Sequence, residues 1–235
     1  MGGAPEGIGS LSRGIAHQLA TPLNVILARA RMIERGEAVG TAVPRDARTI
    51  AEQAERISYI IRQLLDFAGA GSQRRQRVSL AQIIAASFAA VETYALARRV
   101  ELSHSGDELE LQADPAQLQR LVINLLLNGI DSQPQGGFVR VEHACAPPSF
   151  ARLDVTDGGP GIEASLVSRL FEPFFTTKEE GAGAGLGLSV AQGIAAAHGG
   201  HIEVASAPGR GSRFSVYLSL DSDVRSERQG LLGRR

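Results

Sequence analysis

Residues 154–162 read DVTDGGPGI, an alternating strand pattern that ends on a carboxylate, Asp157, and runs at once into Gly158, Gly159, Pro160 and Gly161. Such a carboxylate can accept a hydrogen bond from an exocyclic amine, while the glycines let the backbone lie close to a planar ring. The same residues also spell an Asp-Gly turn. This stretch alone does not decide, so the flanking sequence must.

Upstream, LVINLLLNGI at residues 121–130 belongs to a strongly apolar helix read from Leu118 to Ile130. Asn124, Asn128 and Asp131 fall at i, i+4 and i+7 and share one face. Buried amides without partners are costly, so the two asparagines are read as facing a ligand. Their carbonyl oxygens suit Mg²⁺, which binds through few protein groups plus phosphates. Gln117, Arg120 and Asp131 are read as solvated surface.

Downstream, GAGAGLGLSVAQGIAAAHGG at residues 181–200 places Gly181, Gly183, Gly185 and Gly187 before a helix. Backbone N–H groups and the positive end of a helix dipole form an anion site suited to phosphates. A flexible lid is a second description of the same loop, and the two are compatible. The spacing is neither the dinucleotide fingerprint nor a P-loop. Between these stretches, FEPFFTTK at residues 171–178 sets Lys178, the only lysine among 24 basic side chains, beside Phe171, Phe174 and Phe175. Lys178 is the one flexible ammonium available to reach phosphate.

The N-terminal part has another period. Leu11, Ile15, Leu19, Pro22, Ile26 and Ile33 predict a helix over 10–34 with a kink at Pro22. After a break at Gly36 to Pro44, Ile50, Ala54, Ile57, Ile61, Leu64 and Ala68 alternate steps of four and three, as in a coiled-coil seam. A hairpin of about 60 residues is marginal as a lone core, which predicts a homodimeric four-helix bundle. GAGSQRRQR at residues 69–77 reads as a linker. Beyond it, helices at Leu80 to Arg99, Leu118 to Ile130 and Leu186 to His198 interleave with strands at Val100 to Ser105, Glu108 to Ala113, Phe138 to Cys145, Ala151 to Thr156, His201 to Ala205 and Phe214 to Leu220. The fold class is therefore α+β, a helical hairpin followed by an α/β sandwich.

Composition bounds the rest. The 235 residues carry a formal charge of -1 and are 43% hydrophobic, which excludes a disordered chain and gives no electrostatic footprint for nucleic acid or an anionic membrane. No apolar run reaches the roughly 18 residues of a bilayer span, and the start lacks a secretory pattern, so the reading is a cytoplasmic segment without membrane contact. Cys145, alone, forms no internal disulfide and is read as an inert thiol in a strand.

In their order along the chain, these stretches resemble the asparagine, first-glycine, phenylalanine and second-glycine boxes of the sensor histidine kinase ATP-binding domain. That domain has the Bergerat fold of the gyrase, Hsp90, histidine kinase and MutL superfamily. GIAHQLATPLNVI at residues 14–26 likewise resembles the phosphoacceptor box of these kinases. The resemblance implies domains at 8–69 for dimerisation and phosphotransfer and 78–220 for ATP binding, with a linker at 70–77 and a flexible tail at 221–235. It implies ATP and Mg²⁺ as cofactors. Asp157, with Gly159 and Gly161, would bind adenine. Asn128 would hold Mg²⁺, while Asn124, Lys178 and the loop through Gly183, Gly185, Leu186 and Gly187 would line the triphosphate. His17 would receive the γ-phosphoryl group and pass it to an aspartate on a response regulator receiver domain.

The physics of His17 fits that role, because an imidazole with pKa near 6.5 is mostly neutral at pH 7 and keeps a lone pair for in-line attack on phosphorus. His104, His143, His198 and His201 are read as structural. One position departs from the family pattern: Gln18 stands where an acidic residue usually follows the phosphoacceptor. Its amide can accept a hydrogen bond from the ring but cannot take a proton or neutralise the imidazolium. A slowed kinase is expected, and the alternative is a nucleotide-binding dimeric scaffold. Thr21, one turn from His17, either orients a water for hydrolysis of the regulator's aspartyl phosphate or back-bonds to ease the Pro22 kink.

Overall fold

The computed structural model describes residues 6–37, 40, 42–51, 53, 54, 57, 75–178 and 185–220, with the side chains of the first helix from Leu19 onward. These residues gather into two compact units: one holds the N-terminal helices with Glu172–Leu186, the other holds Gly71–Phe171 and everything from Gly187.

In the first unit, helix α1 spans Glu6–Glu34 and runs through Pro22 without interruption. It stops where the sequence supplies a left-handed residue. Gly36 has φ +68°, its N–H donates to the Ile33 carbonyl at 3.1 Å, and the Glu37 N–H donates to the Met32 carbonyl at 3.0 Å. That pairing is a Schellman cap. The chain turns back into α2, helical over residues 42–51 with Pro44 in its first turn. Asp46, 1% exposed, faces Arg29 across the hairpin at 3.3 Å. Of the expected seam, Ile50 and Ile57 are half-buried and Ala54 is exposed, while Ile61, Leu64 and Ala68 lie outside the described residues. The same unit contains an apolar contact between Leu186, Phe174 and Leu19.

The second unit is built on a five-stranded mixed sheet of order β2-β4-β5-β7-β6, with a separate pair β1-β3. The strands are β1 Gln76–Ser79, β2 Val100–Gly106, β3 Glu110–Ala113, β4 Gly137–Ala146, β5 Phe150–Asp157, β6 His201–Ser206 and β7 Ser212–Ser219. Only β2 and β4 run parallel; the other neighbours are antiparallel. Alternation decides the faces. Val139, Val141 and His143 of β4 are buried while Arg140 and Glu142 are exposed, so one side of the sheet takes the helices and the other takes solvent.

The helices are α3 Leu80–Ala97, α4 Pro115–Asp131, the short α5 Ala164–Val167, and α6 Gly187–Ala197. Leu118, Leu121, Leu125 and Leu126 of α4 are fully buried, as are Leu80 and Ile84 of α3, Leu153 of β5 and Phe214 of β7, and α4 packs against α3, β4, β5 and α6. The start of α4 follows its sequence signal: Asp114 Oδ1 accepts from the Ala116 and Gln117 amides at 3.0 and 3.2 Å, with Pro115 at the first helical position.

Two expectations are corrected. Gln76 and Arg77, read as the end of the linker, stand in β1, because β1 pairs with β3 and Arg77 meets Glu110 across it. Polar composition mimicked a linker where the chain is a short exposed strand. The expectation of no span-length apolar run also fails. Among the described residues α3 is long and apolar enough to cross a membrane by length and composition, its 18 residues averaging a hydropathy of 1.5. Alanines raise that average, while Leu80, Ile83, Ile84 and Val91 bury into the sandwich.

Candidate nucleotide-binding site

Asp157 closes β5, flanked by Val139 of β4 and Ser212 of β7, and its side chain points to the helix-covered face at 4% exposure. α4 comes close enough to touch it because of one glycine. A methyl group on Gly129 would stand 3.3 Å from Asp157 Cβ and 3.0 Å from a Val139 methyl. Asp157 Oδ1 accepts from the Gly159 amide at 2.8 Å and from the Ser132 hydroxyl at 3.3 Å. Burial raises the Asp157 pKa above its ordinary value, against the lowering effect of hydrogen bonds from Gly159, Ser132 and the Ser212 backbone. A carboxylate offers about four acceptor positions, so capacity remains for one more donor.

Gln133, buried at the end of α4, fixes this corner. Its Nε2 donates to the Gly129 and Phe138 carbonyls at 2.9 and 3.0 Å, and its Oε1 accepts from the Phe138 amide at 3.0 Å. The Phe138 carbonyl in turn accepts from the Gly158 amide at 3.3 Å, at the first residue of the glycine loop.

Further up α4, Asn124 is 5% exposed and its Nδ2 has no hydrogen-bond partner. Buried amides are nearly always paired, so this Nδ2 is a donor available to a ligand. It lies against the start of α6: a methyl group on Gly187 would come within 3.8 Å of Asn124 Oδ1. The eleven-residue α6 directs its N-terminal amides there, which favours negative charge. Asn128, one turn beyond Asn124, is half-buried. Asp131, the third member of that polar stripe, is engaged elsewhere, accepting from the Tyr94 hydroxyl at 2.7 Å beside Arg98.

The second unit therefore contains Asn124, Asn128, Asp157, Gly159, Gly161 and Gly187. Lys178, Gly185 and Leu186 fall in the first unit, where the Lys178 backbone donates to Thr176 Oγ1 at 3.1 Å and the Gly185 carbonyl accepts from the Phe174 amide at 2.9 Å. Gly183 lies outside the described residues. His17 and Gln18 stand on α1, their side chains outside the description, and Thr21 is exposed one turn later. The sequence reading missed Gly129, Ser132 and Gln133. The sequence shows a glycine inside an apolar helix and two polar residues at its end, but not the strand they meet.

Residues 113–222 match the histidine kinase-, DNA gyrase B- and HSP90-like ATPases, which makes this part an ATP-binding domain of that class. Residues 8–73 match the His Kinase A (phospho-acceptor) domain. Sensor histidine kinase ZraS of Escherichia coli (strain K12) is 34% identical over 225 residues, covering 95% of this chain and 48% of its own length. Signal transduction histidine-protein kinase AtoS of the same organism is 31% identical over 216 residues, 91% of this chain and 35% of its own. Among solved structures, the mycobacterial sensor histidine kinase MprB shares 28% identity at TM-score 0.56, over 62% of this chain and 97% of that one. Histidine kinase ThkA, solved in complex with response regulator protein TrrA, shares the fold at TM-score 0.78 and 21% identity, over 93% of this chain and 63% of that one.

The chain carries a histidine kinase catalytic core, a phospho-acceptor domain followed by a histidine kinase-, DNA gyrase B- and HSP90-like ATPase domain. It spans about half the length of the curated ZraS relatives it matches.

Proposed function

We infer that this chain binds ATP with Mg²⁺ between Asp157 and the start of α6, phosphorylates His17, and hands the phosphoryl group to an aspartate of a response regulator. The observation that carries this reading is the orphaned, buried Nδ2 of Asn124 at the first turn of α6, a donor placed for a phosphate oxygen. Asp157 accepts a hydrogen bond from the exocyclic amine of adenine. The Asn128 amide oxygen would hold Mg²⁺, and the ion would supply neutralisation of charge on the phosphates. Gly159 and Gly161 line the base, and Gly187 at the start of α6 lines the triphosphate.

In the transfer, a lone pair on the neutral His17 ring forms a nitrogen–phosphorus bond as the bond from γ-phosphorus to the bridging oxygen breaks and ADP leaves. Gln18 accepts a hydrogen bond from the other ring nitrogen, and the ring proton departs to solvent since the amide cannot take it. The nitrogen–phosphorus bond then breaks as an aspartate oxygen of the receiver domain attacks. ThkA, whose fold this chain shares, was solved with a response regulator, which supports a partner of that kind.

We assign residues 8–69 to dimerisation and phosphotransfer, 70–75 to a linker, 76–220, from the start of β1, to ATP binding and 221–235 to a tail, all on the cytoplasmic side. Leu23 and Leu27, one turn apart on α1, remain 48% and 44% exposed, the face a second copy covers in a homodimer. Thr21 serves hydrolysis of the regulator's aspartyl phosphate.

Incubation with ATP labelled at the γ-phosphate tests the whole reading. Acid-labile label that disappears in His17→Ala is the expected result. Nucleotide binding without label would replace it with the scaffold reading, and released phosphate indifferent to His17 would make it a different ATPase.

A further inference from the structure

Ser132 is the C-cap residue of α4, and its hydroxyl lies between two acceptors, the Gly129 carbonyl at 2.9 Å and Asp157 Oδ1 at 3.3 Å. A hydroxyl has one proton to donate, so the two acceptors compete. An ionised carboxylate is the stronger acceptor and wins that proton; a protonated one loses it to the carbonyl.

The hydroxyl cannot drift far from this position. The Ser132 amide donates to the Asn128 carbonyl at 3.2 Å, and Gln133 next to it is bonded at both ends of its side-chain amide. The other groups facing Asp157 carry no charge and do not titrate: Gly129 of α4, Val139 of β4, Ser212 of β7, and the Gly159 amide. Among the described residues Ser132 is the side-chain donor to this carboxylate.

We propose that Ser132 is a positioning residue for base recognition: its hydroxyl holds Oδ1 of Asp157 so that the remaining acceptor position of the carboxylate meets the exocyclic amine of adenine. This rests on the reading of Asp157 as the adenine partner. Removal of the hydroxyl has two effects with one cause. The carboxylate loses a donor that fixes its rotation, and it loses a group that favours its ionised form against burial, which already raises its pKa. ATP binding then weakens, and it weakens most toward acid.

The test is calorimetric titration of ATP into the whole chain from pH 5 to 8, for wild type, Ser132→Ala, Ser132→Thr and Asp157→Asn. Ser132→Ala is expected to weaken binding about 3- to 10-fold at pH 7, the loss of one ordinary hydrogen bond, and to move the acid limb of the affinity profile to higher pH. Ser132→Thr, which keeps the hydroxyl, restores both. If Asp157→Asn abolishes binding while Ser132→Ala follows the wild-type curve at every pH, the role of Ser132 is wrong and the adenine reading stands. If Asp157→Asn binds as wild type does, the adenine reading falls and takes this one with it. A uniform loss with no movement of the acid limb also overturns the proposal, since a merely structural role gives that result. Should Ser132→Ala melt early, Ser132→Cys decides instead, its weak donor giving an acid limb between wild type and the value expected for no donor.

Discussion

Gly129 and Asp157 are in contact across the α4–β5 boundary, with room for a hydrogen on the glycine and little for a methyl, which would sit 3.3 Å from Asp157 Cβ. The nucleotide site thus depends on a residue with no side chain.

Gly129→Ala is expected to weaken ATP binding several-fold with little change in melting temperature. Alanine gains about 1 kcal/mol of helix propensity over glycine, while overpacking costs about 1–3 kcal/mol, so the two largely cancel in stability. The cost concentrates where the methyl pushes, at Asp157. Gly129→Leu has no such balance and should lower the melting temperature clearly. Paired thermal melts and ATP titrations check both.

Asp157 opposes folding at neutral pH. Its folded-state pKa lies above the ordinary 3.8, so the favourable contribution is present below that value, with the carboxyl protonated, and is lost as pH rises through the elevated pKa. Asp157→Asn should therefore raise the melting temperature of the nucleotide-free protein at pH 7, while ATP binding disappears. In the wild type, ATP affinity should rise with pH across the same window. A nucleotide-free Asp157→Asn protein that melts below wild type at pH 7 would contradict this.

Gln18→Glu should speed autophosphorylation. General-base assistance is worth about 10² to 10⁴ in rate, and histidine attack needs little of it, so a gain near the lower end is expected. His17→Ala removes the label altogether. Initial rates of acid-labile labelling at saturating ATP give both results.

Arg29 and Asp46 hold the N-terminal hairpin at 3.3 Å, with Asp46 only 1% exposed and its Oδ2 without a hydrogen bond. Stripping a partner from a buried charge costs about 3–5 kcal/mol, whereas replacing the pair with apolar side chains is often neutral. Arg29→Ala should lower the unfolding midpoint of this hairpin, at most by that amount because Arg45 also approaches Asp46 at 3.9 Å. Arg29→Met with Asp46→Leu should recover it. Denaturant melts of the single and double variants make the comparison.

Features encoded by adjacent residues were legible in the sequence. Asp114-Pro115 announced the start of α4, Gly36 fell in the expected break, and alternation along residues 137–146 located β4. The polar stripe at Asn124 and Asn128 and the glycines after Asp157 were visible for the same reason: their spacing is local. What was not legible depends on residues far apart in the chain. Nothing near Gly129 indicates that β5 will pass against it, nothing near Ser132 predicts a carboxylate 25 positions away, and Arg29 meets Asp46 only because the hairpin closes. The start of β1 was hidden because Gln76 and Arg77, exposed and pairing with a distant partner, have the composition of a linker. The membrane-like average of α3 comes from its alanines together with Leu80, Ile83, Ile84, Val91 and Leu96, and an average does not report which side of a helix they occupy.

His198 lies just beyond the opposite end of α6 from the Gly187 amide. Its Nε2 accepts from the Asp114 amide at 3.2 Å, so its Nδ1 carries the hydrogen directed at the Ile194 carbonyl, 2.9 Å away. One tautomer satisfies both bonds, and a doubly protonated ring would turn a donor against the Asp114 amide. The heel of α6 is thereby bolted to the threshold of α4 by a neutral imidazole. Charge arriving at Gly187 presses on a braced strut.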